Sequence, residues 1–104
     1  MEELLSLAKQ CLSIVATATA KDNEITMLIK AGKADMQRQG IIVDPPEGQT
    51  MNELVKTTIM MYVKANFGNT DIKEKELAQR TYILLCKNLG LSTGYKEVES
   101  DDRH

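Results

Sequence analysis

Tryptophan is absent, phenylalanine occurs once and tyrosine three times, so no core can be assembled around aromatic rings. It has to come from Leu, Ile, Val, Ala and six Met. The one histidine is the last residue, His104, which leaves no interior imidazole for acid–base chemistry and no Cys/His set of the kind that holds zinc. Cys11 and Cys86 stand far apart on what read as apolar helix faces, and both read as free, buried thiols. No apolar run approaches the roughly 18 residues that a membrane-spanning helix needs. Met1-Glu2-Glu3 is acidic, unlike the basic opening of a secretory signal. There is no GxGxxG, P-loop, GxSxG, HExxH, CxxC or EF-hand loop. No catalytic residue, cofactor or metal is therefore expected, and no enzyme. Excess charge of one sign is lacking too: 13 Lys and Arg face 15 Asp and Glu, for a net charge of −2. A sequence-independent nucleic-acid binder needs a surplus of cations to displace counterions.

What is present is a helical pattern. With 104 residues, 42% apolar and 27% charged, the chain has the length and composition of one folded domain. Leu4, Leu5, Ala8, Cys11, Leu12 and Val15 recur at spacings of three and four and predict a first helix from Glu2 to about Ile14. Asp22 is placed to cap a second helix, whose buried stripe is Ile25, Leu28, Ile29, Gly32 and Met36 and whose stop is Gly40. Gly32 inside that stripe weakens the helix by about 1 kcal/mol relative to Ala, and a close helix crossing is one reason for it to be there. Residues 40–49 break the pattern at Pro45 and Pro46, with Ile41, Ile42 and Val43 tucking under the bundle or meeting a neighbouring subunit.

Thr50 and Glu53 have the spacing of a capping box for a third helix, with Leu54, Val55, Thr58, Ile59, Tyr62 and Ala65 facing inward. Met51, Met60, Met61 and Val63 widen that stripe, as in a helix that lies centrally or is covered by a partner. Asp71 and Glu74 repeat the box for a fourth helix, with Leu77, Ala78, Thr81, Tyr82, Leu85 and Leu89 inward, Ile83 and Leu84 thickening the stripe, and Gly90 as the stop. The expected fold class is all-α: a small antiparallel bundle of about four helices over 1–90, with a flexible C-terminal docking tail over 91–104.

Few constellations suggest chemistry. Glu97, Glu99, Asp101 and Asp102 lack the Gly turn and ligand spacing of a calcium loop and read as a solvated tail. A small helical DNA-binding or regulatory module is the alternative. It requires Arg, Lys, Asn or Gln at the start of a recognition helix, whereas Lys30, Lys33, Gln37 and Arg38 fall late in the second helix and the fourth opens on mixed charge.

Two segments carry a resemblance. Val55 to Asn69 contains the run Tyr62-Val63-Lys64-Ala65-Asn66-Phe67-Gly68, and the fourth helix ends in Tyr82-Ile83-Leu84-Leu85 followed by Leu89-Gly90-Leu91-Ser92-Thr93-Gly94-Tyr95. The chain resembles the tailed-phage and prophage head–tail connector proteins, also called head-completion or DNA-packaging adaptor proteins. The likeness spans about residues 2–95 and is specific over 55–69 and 82–95. It departs at Lys9-Gln10-Cys11-Leu12-Ser13-Ile14-Val15, where family members often carry K-x-x-L-R-I-D.

The resemblance implies a structural subunit of a homo-oligomeric ring beneath the portal protein, joining capsid to tail, made in the host bacterial cytoplasm and ending in the virion. Its partners would be the portal and a tail or head-closure protein. Packaged DNA would pass through the lumen without sequence-specific binding, and no membrane would be involved. A ring subunit needs two different lateral faces, so surplus apolar surface is expected. Met60, Met61, Val63 and Ile83 are candidates for subunit or portal contacts, with core burial as the competing reading. Leu91 and Tyr95 are candidates in the tail, where Tyr95 either anchors the tail to a neighbour or packs on its own bundle.

Overall fold

Four helices, α1 (Glu2–Cys11), α2 (Asp22–Arg38), α3 (Glu53–Asn66) and α4 (Ile72–Gly90), make up the computed structural model, which describes residues 2–90. The expected docking tail, with Leu91 and Tyr95, lies outside the described residues. The fold is an all-α bundle. α3 is its centre: α1, α2 and α4 all pack on it, while α1 and α2 also touch each other. The Cα atoms span 47 × 34 × 18 Å, a flattened outline that leaves α4 with one main neighbour and a broad outer face.

Local chemistry sets the ends of these helices. α1 stops at Cys11, short of Ile14, because Ser13 turns into the left-handed region at φ 62°. The Ser13 N–H then donates to Gln10 O at 3.1 Å and the Ile14 N–H to Lys9 O at 2.8 Å, a Schellman closure built without glycine. Val15, expected on the buried stripe, is consequently 69% exposed. α2 closes in the same way, with Gly40 at φ 86°, its N–H on Gln37 O and the Ile41 N–H on Met36 O. Met36 and Ile41 are both buried, the apolar contact that accompanies this motif.

Two expected caps are corrected. Asp22 is the first residue of α2 rather than its cap; its carboxylate pairs with Lys9 Nζ at 2.7 Å. At α3 the cap is Asn52, whose Oδ1 accepts from the Leu54 N–H at 2.7 Å and the Val55 N–H at 3.4 Å, so the Thr50–Glu53 box does not form. Asp71 does cap α4, accepting from the Lys73 N–H at 3.1 Å, while Glu74 turns to Lys64 at 3.5 Å.

The core comprises Leu4 and Ala8 of α1, Ile25, Ile29 and Met36 of α2, Val55, Ile59, Met60 and Val63 of α3, and Tyr82, Cys86 and Leu89 of α4, sealed by Ile41, Val43 and Phe67. Both thiols are free; Cys86 is buried and Cys11 half-buried. Ile41 and Val43 tuck under the bundle as expected, whereas Ile42 points outward. Gly32 marks a close crossing. A Cβ there would lie 3.0 Å from Tyr62 Cδ1 and 3.2 Å from Tyr62 Cβ. Because Tyr62 Cβ is fixed to the α3 backbone, rotating the ring does not clear the space. Tyr62 in turn meets Tyr82 edge to face, with ring centroids 5.3 Å apart.

Beside this stack, the Tyr82 hydroxyl donates to Asp35 Oδ2 at 2.5 Å, tying α4 to α2. Gln39 Nε2 donates to the same oxygen at 3.0 Å, and Arg38 pairs with Oδ1. Burial opposes the Asp35 charge, but the hydrogen bonds from Tyr82, Arg38 and Gln39 outweigh it and hold the carboxyl below its usual pKa. Burial, with the bond to Asp35, pushes the Tyr82 phenol above its own.

Two outcomes test this packing. Gly32→Val should lower stability by about 2 kcal/mol through overpacking against Tyr62, read from thermal and denaturant melts. Asp35 contributes fully above its unfolded pKa of about 3.9, and the contribution is lost as pH falls from there through the lower folded value. Tyr82→Phe should therefore cost about 1 kcal/mol at neutral pH and flatten the loss of stability on the acid side; an unchanged acid limb would refute the link.

Candidate assembly interface

α4 has an amphipathic sequence whose register fixes what it shows to solvent. Ala78, Tyr82, Cys86 and Leu89, spaced four, four and three apart, face α3. That places Leu77 and Leu84, a spacing of seven, together on one flank of the outer face, and Ile72 and Ile83 on the other. Their exposures are 59% and 58% for the leucines and 70% and 47% for the isoleucines. Half of the large apolar side chains exposed among the described residues sit on this helix. Leu77, expected inward, is thus outside: the buried stripe runs through Cys86, one step around the helix from the expected Leu77–Thr81 line.

Along this face Lys73, Glu76, Arg80 and Lys87 follow one another, and the charges have one sign only beyond Glu76. From Leu77 to Gly90 the sequence holds Arg80 and Lys87 and no acid. Neither cation has an ion-pair or hydrogen-bond partner among the described residues. Earlier in the helix, Glu74 pairs with Lys64 of α3.

The candidate contact residues separate into three groups. Met60 and Val63 lie in the core, 6% and 1% exposed, because that side of α3 is covered by the rest of the bundle. Met61 is half-buried, packed against the core edge. Ile83 is exposed, and the structure adds Ile72, Leu77 and Leu84 beside it. Leu91 and Tyr95 lie outside the described residues.

Elsewhere, a cleft of about 520 Å³ opens between the α1–α2 loop and the α3–α4 turn, lined by Cys11, Leu12, Ile14, Phe67, Thr70 and Asp71 among others. Among the described residues no group of His, Cys, Asp and Glu is placed to hold a metal ion, and no helix is long and apolar enough to cross a membrane.

A helical subunit whose polar side chains serve packing, and half of whose exposed large apolar side chains lie on one outer helix, has the geometry of a protein that works by contact. The family model described as phage connector protein matches residues 4–96, a span that takes in nearly all of α1 and the whole of α2, α3 and α4.

The chain belongs to the phage connector protein family.

No curated protein and no solved structure matches it. Membership makes this connector a phage structural protein with a head–tail connector role, one that assembles with other virion components. The match also covers Leu91 and Tyr95, so the connector homology continues past the end of α4.

Core and surface should respond differently to truncation. Met60→Ala is expected to cost the connector about 2–4 kcal/mol. Leu84→Ser should stay within about 0.5 kcal/mol of the parent, as checked by denaturant titration.

Proposed function

We propose that this connector subunit forms a homo-oligomeric ring below the portal, extending the DNA channel and joining capsid to tail. The observation that carries the reading is the set of exposed apolar side chains on α4. A domain of this size buries only about two-thirds of its unfolded surface, and contact with copies of itself adds burial that one subunit lacks. In a ring each subunit meets two neighbours through different faces, so one helix can be left bare in the free subunit and covered in the assembly. Ile83, with Ile72, Leu77 and Leu84, supplies lateral or portal contacts, and half-buried Met61 of α3 adds to them. Leu91 and Tyr95 belong to the segment that docks on the portal or on a tail or head-closure protein.

A subunit of net charge −2 suits a conduit through which packaged DNA passes without being held. The site of action is the head–tail interface of the virion, reached from the host cytoplasm.

Mixing the purified subunit with its portal tests the proposal. Co-sedimentation and ring particles in electron micrographs are the expected result. Absence of both, together with salt-sensitive binding to duplex DNA, would replace it with the nucleic-acid-binding reading.

A further inference from the structure

The segment before α3 carries charge opposite to that of α4 from Leu77 on. No Lys or Arg lies between Arg38 and Lys56, a stretch that holds Asp44, Glu47 and Glu53. Within it Ile42 and Leu54 are exposed, at 42% and 37%. The patch is anchored toward the α1–α2 side of the bundle. Asp44 meets Lys33 of α2 at 2.9 Å, and Glu53 approaches Lys56, which is bonded to Glu3 of α1 at 2.7 Å. Glu47 is exposed and has no ion-pair partner among the described residues. On α4 the line of Ala78, Tyr82, Cys86 and Leu89 meets α3, so Leu77, Arg80, Leu84 and Lys87 are turned to solvent.

We infer that the outer face of α4, with Leu77, Leu84, Arg80 and Lys87, docks on the acidic 41–54 segment of a second copy of this chain. The inference rests on the ring proposed above and names its lateral contact. Sign of charge favours a mixed geometry. Pairing α4 with α4 in the same direction sets Arg80 and Lys87 against the same cations, an opposed pairing offers them Glu76, and pairing the acidic segment with itself sets Glu47 against Glu47. The mixed pairing sets both cations against a segment that has none, with apolar side chains on each side. A mixed pairing is heterologous: it leaves one free patch of each kind on the growing assembly, and it closes as a ring if the rotation between neighbours permits.

The other occupant available to the α4 face is the chain's own end, which carries Glu97, Glu99, Asp101 and Asp102. The apolar residues that Ile42 and Leu54 contribute beside the acids favour the second copy.

Two measurements decide. In a Cys11→Ser background, Leu84→Cys and Glu47→Cys subunits are purified separately and mixed under oxidising conditions. The inference expects mixed disulfide dimers about tenfold or more in excess of either homodimer. Equal amounts, or an excess of the Leu84→Cys homodimer, overturn it.

In parallel, Arg80→Glu with Lys87→Glu should weaken self-association about tenfold in sedimentation, and adding Glu47→Lys should recover part of the loss. Both sites are solvent-facing, so circular dichroism should be unchanged. If rings form with the portal but neither result appears, the ring stands and this contact falls. The contact also falls if removing residues 96–104 abolishes the effect of the charge reversal, which assigns the α4 face to the tail. A chain that stays monomeric at every concentration and beside the portal overturns ring and contact together.

Discussion

Tyr62 sits where three helices meet, its Cβ and ring against the bare backbone of Gly32 on α2 and its ring in edge-to-face contact with Tyr82 on α4. The arrangement works because glycine removes the one atom that would hold α2 and α3 apart at that point. Once the helices are this close, the Tyr82 hydroxyl reaches Asp35 and links α4 to α2 across the central helix. A chain with little aromatic content has placed two of its three tyrosines at this crossing. The helix-weakening glycine is kept because packing, rather than intrinsic propensity, dominates helical stability inside a protein.

α1 is held by different means. It is the shortest of the four helices, with Leu4 and Ala8 as its buried apolar side chains, and a lysine secures each end. Near its start, Lys56 of α3 reaches Glu3 at 2.7 Å; the hydrogen bond to Glu3 outweighs desolvation and holds the lysine above its usual pKa, so it stays charged. At its other end Lys9 is 6% exposed, pairs with Asp22 at 2.7 Å and donates to Ala16 O at 3.1 Å. That second contact joins α1, the following loop and α2. A buried ammonium with two partners is costly to rearrange, since removing either partner leaves a charge without compensation. The ion pair also explains why Asp22 does not cap α2: its carboxylate serves Lys9.

How much of this was legible in the sequence depends on what kind of force set each feature. Periodicity reports burial, so the four helices, the Ile25–Met36 stripe and the central place of α3 could all be read from residue spacing. Gly40 and Asp71 were legible because their side chains, or the lack of one, act on their own backbone. The end of α1 was not: serine has no marked preference for positive φ, and only the bonds at Ser13 and Ile14 reveal the closure. The α3 cap was missed because a spacing rule selected Thr50, while Asn52 stands two residues closer to the first free N–H groups.

Met60 and Val63 illustrate a further limit: a wide apolar stripe looks the same whether one's own helices or a partner's cover it. On α3 the cover is internal, from α1 and α2 as well as α4. Ile83 was legible as apolar and surplus, but its flank of α4 could be placed only once the buried line through Cys86 was known.

The contrast between α3 and α4 explains the distribution of apolar surface. A helix surrounded on several sides can carry a wide apolar stripe and expose little of it; on α3 Leu54, at 37%, is the exposed large apolar side chain. A helix with one main neighbour buries one stripe, and any apolar residue beyond that stripe faces water. Ile72, Leu77, Ile83 and Leu84 are four such residues on a helix that a single subunit needs only to cover one side of α3. None of them contributes to the core; Ser, Gln or Lys at those positions would satisfy the fold equally well. A connector, by contrast, has its work at its boundary with other virion components, and there a bare apolar flank gains free energy only when a neighbour arrives. Arg80 and Lys87 lie among those side chains, and a neighbour of opposite charge would fit that surface better than one of like charge.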